Sequence, residues 1–200
     1  NLAGWGPYII EEWTPGQQTV LTLREDYPVG NATIKRIVYR EVPSSSNRAA
    51  LLESGDIDMA EFLSMREYEM LEEKSGVKVL NWEDLYMKIL LMNNAMEPFD
   101  KVDVRRAVLY AVPYEQIIEE VYHGYGSRLT GYVPPALDHF YDEGWPYEYD
   151  PIKAQELLAE AGYPNGFKAT LTYNAGIPAD EQIAVLVRTA FSEIGIDLEL

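Results

Sequence analysis

Val104, Ala107, Val108 and Ala111 recur at three- and four-residue spacing, which marks one apolar face of a helix. Asp100 stands ahead of that run as its expected N-cap, and Asp103 adds negative charge in the first turn, where the helix dipole favours it. Pro98-Phe99 supplies an extended approach and an apolar anchor. Similar spacing predicts a helix over Tyr114–Tyr122, with Ile117, Ile118 and Val121 inward and Pro113 in the first turn. Asp150-Pro151 is a cap followed by a proline at the first helical position, and Ala154, Leu157, Leu158 and Ala161 form the face of the helix that ends at Gly162. Ile183, Val187, Ala190, Phe191 and Ile194 predict a helix from about Ala179 to Ile194, stopped by Gly195. Two shorter helices are expected earlier. One runs over Arg48–Ser54 behind Ser44–Asn47 and stops at Gly55; the other opens on the capping box Ser64-x-x-Glu67 and closes near Gly76.

Between these helices the pattern changes to alternation. Tyr8–Glu12, Thr19–Arg24 and Ile34–Arg40 read as strands separated by turns at Pro15-Gly16 and Gly30-Asn31. Further strands are expected at Asp56–Ala60, Val77–Leu80, Lys168–Tyr173 and from Ile196 onward. From Leu80 to Met92 long apolar and aromatic residues become continuous, as in a buried strand. Ending on the alternating run Ile196–Leu200 suggests a piece of a longer polypeptide.

Composition narrows the classes. With 47% apolar residues in 200, the chain can bury a sizeable core. Sixteen basic against thirty-three acidic residues give a net charge of -17, which disfavours nucleic acid and anionic membranes as partners. The absence of cysteine excludes disulfides and thiolate metal sites, and no apolar run is long enough to span a bilayer.

No catalytic motif emerges. The two histidines, His123 and His139, fit neither an EF-hand nor H-E-x-x-H, although Asp138, Asp142 and Glu143 near His139 could hold a cation. Asp56 and Asp58 flank an apolar residue and read as a solvated face rather than a metal site. G-x-S-x-G is absent, and the glycines around 124–131 match no phosphate-binding loop. The enzyme alternative is a glycosidase-like hydrolase with paired carboxylates acting on extracellular saccharides, which so acidic a chain leaves open.

Several motifs, taken together, resemble one family. Met92-Asn93, Pro98-Phe99-Asp100 and Val102-Asp103-Val104-Arg105-Arg106-Ala107 are similar to a signature of the extracytoplasmic solute-binding proteins of ABC importers, family 5, the oligopeptide, dipeptide and nickel group. Gly6-Pro7-Tyr8 with Glu12-Trp13 and Pro15-Gly16, the run from Arg48 to Met59, and Tyr149-Asp150-Pro151 through Gly162-Tyr163-Pro164-Asn165-Gly166-Phe167 follow in that family's order. Pro28 and Pro113 depart from it, replacing a tryptophan and a helix-capping aspartate respectively.

The resemblance implies an α/β, two-lobed periplasmic-binding-protein-like fold with mixed sheets, present in part. Residues 1–82 would belong to the first lobe and 83–200 to much of the second, with the crossing near 81–88. It further implies a monomer, periplasmic or lipid-anchored outside the cytoplasmic membrane. Such a protein would catch a small solute (oligopeptide, dipeptide, oligosaccharide or metal chelate) and pass it to ABC permease subunits without a cofactor, a metal or catalysis. The aspartate that anchors a peptide amino group in relatives is expected beyond Leu200. Candidate cleft-lining residues are Tyr86, Asn93 and Asn94 at the crossing, with Tyr125 and Tyr132 from the loop, which also neighbours Tyr141. Core packing is the competing role, favoured for Tyr86.

Overall fold

The computed structural model describes residues 5–25, 27, 32–81, 85–135, 137–140 and 146–200. Alternation at the start of the chain becomes an antiparallel sheet of β1 (Tyr8–Thr14), β2 (Gln18–Leu23) and β3 (Arg36–Arg40), in that order. Tyr8 faces Leu23 and Thr14 faces Gln18, with a bulge between Ile10 and Glu12. Only Val20, at the centre of β2, is fully shielded from solvent within this sheet. The turn expected at Gly30-Asn31 lies outside the described residues.

α1 (Ser45–Ser54) begins three residues before the stretch predicted for it, because Ser44 accepts the Asn47 amide at 3.3 Å and caps the helix there. Gly55, at φ 78°, ends it as expected. Asp56–Ala60 is not a strand. The Asp56 and Ile57 amides turn back to the Leu51 carbonyl at 2.9 and 3.4 Å, so the chain folds against the helix end instead of extending. α2 (Met65–Glu72) forms its capping box in full: the Ser64 amide donates to Glu67 at 2.8 Å, and the Glu67 amide to the Ser64 hydroxyl at 3.3 Å. Ser64→Ala is expected to destabilise the protein by about 1 kcal/mol, measured by urea denaturation.

The largest correction concerns residues 77–92. Val77–Leu80 is not a strand, and the described part of 80–92 has no ladder partner among the described residues. It is also far from uniformly buried: Leu91 is 79% exposed and Leu85 52%, while Leu90 and Met92 pack on the core. A run of apolar residues meets the criterion for a buried strand, but a strand requires a neighbour, and neighbours are set by tertiary structure.

The core lies in the second half of the chain. It is assembled from α3 (Val102–Ala111), α4 (Tyr114–Tyr122), α5 (Pro151–Glu160), β4 (Phe167–Thr170), α6 (Pro178–Glu193) and β5 (Ile196–Glu199). Val104, Ala107, Val108 and Ala111 are buried on α3 against Ala154, Leu157 and Leu158 of α5, and Val187 and Phe191 of α6 complete the cluster. The N-cap of α3 is Lys101 rather than Asp100. Residues 96–101 make their own turn, and the Arg105 guanidinium gathers the Phe99 and Asp100 carbonyls at 2.7 and 3.0 Å. Asp150 caps α5 as expected, accepting the Lys153 amide at 2.9 Å. β4 and β5 pair in parallel across α6, with Phe167 opposite Ile196 and Thr170 opposite Glu199. Among the described residues no helix is long and apolar enough to cross a membrane.

Tyr163 joins the entry of α3 to β4. Its ring meets Phe167 edge-on at 5.4 Å, Lys101 Nζ lies 4.5 Å from its centroid, and its hydroxyl donates to Glu97 at 2.7 Å. That hydrogen bond, aided by desolvation and the nearby carboxylates, pushes the phenol up to about 12. A raised folded-state pKa means that this contribution is intact below the ordinary tyrosine value of 10.0 and is lost as pH rises through about 12. An alkaline absorbance titration should show this phenol ionising late, and Tyr163→Phe should remove that step.

Candidate functional site

The extended segment beyond residue 85 carries one charge in an otherwise apolar run, Lys88. A lysine there needs a partner, and α6 supplies it. Asp180 sits in the first turn of α6, where the helix dipole already favours a carboxylate. Its Oδ1 pairs with Lys88 Nζ, and its Oδ2 accepts the Asn174 side-chain amide at 3.0 Å. The pair is largely enclosed, with the Asp180 side chain 9% exposed and that of Lys88 29%. Burial opposes the Lys88 charge, but hydrogen bonds to Asp180 and the Tyr86 hydroxyl outweigh it and hold the ammonium above the ordinary lysine range. Burial likewise raises the phenol of Tyr122, partly offset by the Lys88 charge.

Tyr86 and Phe62 form the aromatic side of this cluster. Lys88 Nζ lies 5.0 Å from the Tyr86 centroid and 3.4 Å from its hydroxyl. The Phe62 ring, at 6.4 Å and tilted, meets Tyr86 from the segment before α2. Tyr86 and Phe62 are 59% and 49% exposed, so their rings are offered to solvent rather than packed into the core favoured for Tyr86. Solvated rings beside a nearly buried ion pair can stack on a solute while the polar groups orient it.

The remaining predicted site residues do not share one arrangement. Asn93 accepts the Ala95 amide at 3.1 Å in a local turn, and Asn94 is exposed on the same turn. Tyr125 and Tyr132 are 66% and 78% exposed on the loop after α4. That loop is held by Arg128, which stacks 4.1 Å from the Tyr114 centroid and pairs with Glu148 at 2.9 Å. Tyr141, together with the Asp142 and Glu143 considered beside His139, lies outside the described residues. Among the described residues no group of three or more His, Asp or Glu side chains could hold a metal ion.

Reading the sequence missed Lys88, Asn174 and Asp180. A signal for the first was present, since one lysine interrupts the apolar run from Leu85 to Met92. Nothing local marks Asp180 as its partner 92 residues away.

Comparison with known proteins gives this geometry a context. The model for the middle part of the bacterial extracellular solute-binding proteins, family 5, matches residues 1–200. Heme-binding protein A of Haemophilus influenzae is 33% identical over 197 residues, covering 96% of this chain and 36% of that protein. The glutathione-binding protein GsiB of Escherichia coli (strain K12) is 29% identical over 199 residues, covering 98% of this chain and 38% of its own length. The periplasmic binding protein DppA of Helicobacter pylori, solved with the peptide STSA, superposes with a TM-score of 0.86 at 30% identity, covering 97% of this chain and 38% of that one. The chain thus spans less than two fifths of the length of these relatives. The family model matches this chain from end to end, and the chain belongs to the bacterial extracellular solute-binding proteins, family 5.

Proposed function

We propose that the protein captures a small solute outside the cytoplasm, in a cleft between two lobes, and delivers it to the permease of an ABC importer. In this reading residues 1–82 form part of one lobe and 83–200 much of the other. The solute is held without any bond being made or broken in the protein, and a solute that touches both lobes favours the closed state by its differential affinity for it.

The observation that supports this reading is the Lys88–Asp180–Asn174 cluster beneath Tyr86 and Phe62. It lies where the segment before α2 meets the segment after residue 85, so the two proposed lobes share one polar, aromatic-walled site. Asn93, Asn94, Tyr125 and Tyr132 are proposed as further cleft-lining residues. Relatives whose names or structures indicate heme, glutathione and a tetrapeptide define the first panel.

Native mass spectrometry of the full-length protein, before and after adding heme, glutathione or Ser-Thr-Ser-Ala, tests the reading. A saturable one-to-one adduct with no product supports it. Turnover of any panel member, or no adduct with that panel and no co-purifying solute, counts against it.

A further inference from the structure

One guanidinium bonds main chain on both sides of the Lys88 cluster. Arg48 of α1 donates to five backbone carbonyls: Nε to Glu61 at 3.2 Å, Nη1 to Val42 and Pro43 at 2.6 and 3.0 Å, and Nη2 to Phe62 and Gly176 at 2.7 and 3.2 Å. An arginine has five N–H donors, and all are used on main chain. Four of the acceptors lie between residues 42 and 62, while the fifth, Gly176, is 128 residues along the chain from Arg48.

The two carbonyls on Nη2 belong to the two walls. Phe62 holds a left-handed backbone, φ 57°, which is unfavourable for a side chain of this size unless its surroundings enforce it. Arg48 bonds the carbonyl of that residue, whose ring stands 6.4 Å from that of Tyr86. On the other side, the Gly176 amide donates to Glu181 at 2.8 Å, and Asn174 donates to Asp180. Holding the Gly176 carbonyl therefore fixes the loop that carries Asn174 into the first turn of α6. Residue 176 must be small for the joint to close: its φ is 81°, and a Cβ there would stand 2.6 Å from the Pro43 carbonyl oxygen.

We propose that Arg48 is the positioning residue of the solute site, fixing the aromatic wall through Phe62 and the acidic wall through Gly176 in a single fork. This rests on the solute-binding reading of the cluster. The placement of the walls is measured without solute, however, so failure of one does not read as failure of the other. Lysine at 48 keeps the charge but presents a compact ammonium instead of a five-donor fork, so it cannot hold the same carbonyls.

The test uses the full-length protein, its Arg48→Lys and Arg48→Gln variants, and Gly176→Ala, which disrupts the joint while leaving Arg48 in place. Two local rates are read by mass spectrometry: reductive methylation of Lys88, and amide exchange at position 176 relative to the intrinsic rate of the residue standing there, with the Val108 core amide as reference. Each variant should raise both local rates at least about tenfold, the equivalent of one charge-assisted hydrogen bond, with Val108 unchanged. An unchanged Lys88 rate in either Arg48→Lys or Gly176→Ala overturns the proposal, because the walls then stand without the fork. Acceleration of Val108 by the same factor in all three variants also overturns it, since Arg48 would then serve the fold at large.

Discussion

Gly166→Ala is expected to destabilise the protein by about 4 kcal/mol, the sum of left-handed strain and overpacking. Gly166 has φ 73° and precedes β4 where the chain passes Gly195, which precedes β5. A Cβ at 166 would lie 1.9 Å from the Gly195 carbonyl oxygen, a backbone atom that cannot rotate away. The two strand entries would have to separate, loosening the parallel pair that buries Ile196 and Leu198. Gly55→Ala is the internal control. It has φ 78° with nothing within 4 Å of the added Cβ, so it should show only the strain, about 1 kcal/mol. Urea denaturation of both variants separates the two contributions; equal losses would show that the close approach at Gly195 is unimportant.

Asp180→Asn is expected to weaken solute binding by about a hundredfold, as loss of a charge-assisted hydrogen-bond partner in an enclosed site does. The shape at 180 is kept, so the effect is electrostatic. Lys88 loses its counter-charge, while the new amide oxygen can still accept from Asn174. Calorimetric titration with whichever solute forms an adduct in the native spectra measures the loss. The core amides of α3 and α5 should keep their exchange rates, because the hydrophobic cluster does not include this pair. Unchanged affinity would remove the Lys88–Asp180 cluster from the solute site and leave the cleft elsewhere.

How much of this was legible in the chain follows the range of the forces involved. Most helix faces and stops were readable from spacing, although α2 ends at Glu72 instead of near Gly76, Ile117 and Ile118 of α4 are only half-buried, and α6 buries Ala184 beside its expected face. Asp150 caps α5, Ser64 and Glu67 cap each other, and Val104, Ala107, Val108 and Ala111 are the buried positions of α3. Where a competing local bond existed, the boundary moved, as with Ser44 drawing α1 forward and Arg105 displacing the α3 cap from Asp100 to Lys101. The order of motifs also carried the family, whose model matches residues 1–200.

Five of the expected strands also formed, β1 to β5, but which apolar runs pair, and which residues make the site, belonged to tertiary structure. Asp56–Ala60 and the run around Leu80–Met92 have strand-like composition, but a ladder needs a second chain segment, and composition does not say whether one is adjacent. The candidate site shows the same division. Tyr86 was visible as an aromatic residue at the crossing, whereas its cluster joins Phe62, Lys88, Asn174 and Asp180. Arg48 stood within a recognisable motif, yet its carbonyl at Gly176 is 128 residues away. Helical periodicity, caps and glycine stops act within a turn or two, so the sequence by itself determined the helices. Ion pairs, ring contacts and the Arg48 fork depend on where distant segments pack, so only the folded chain decided which residues share a site.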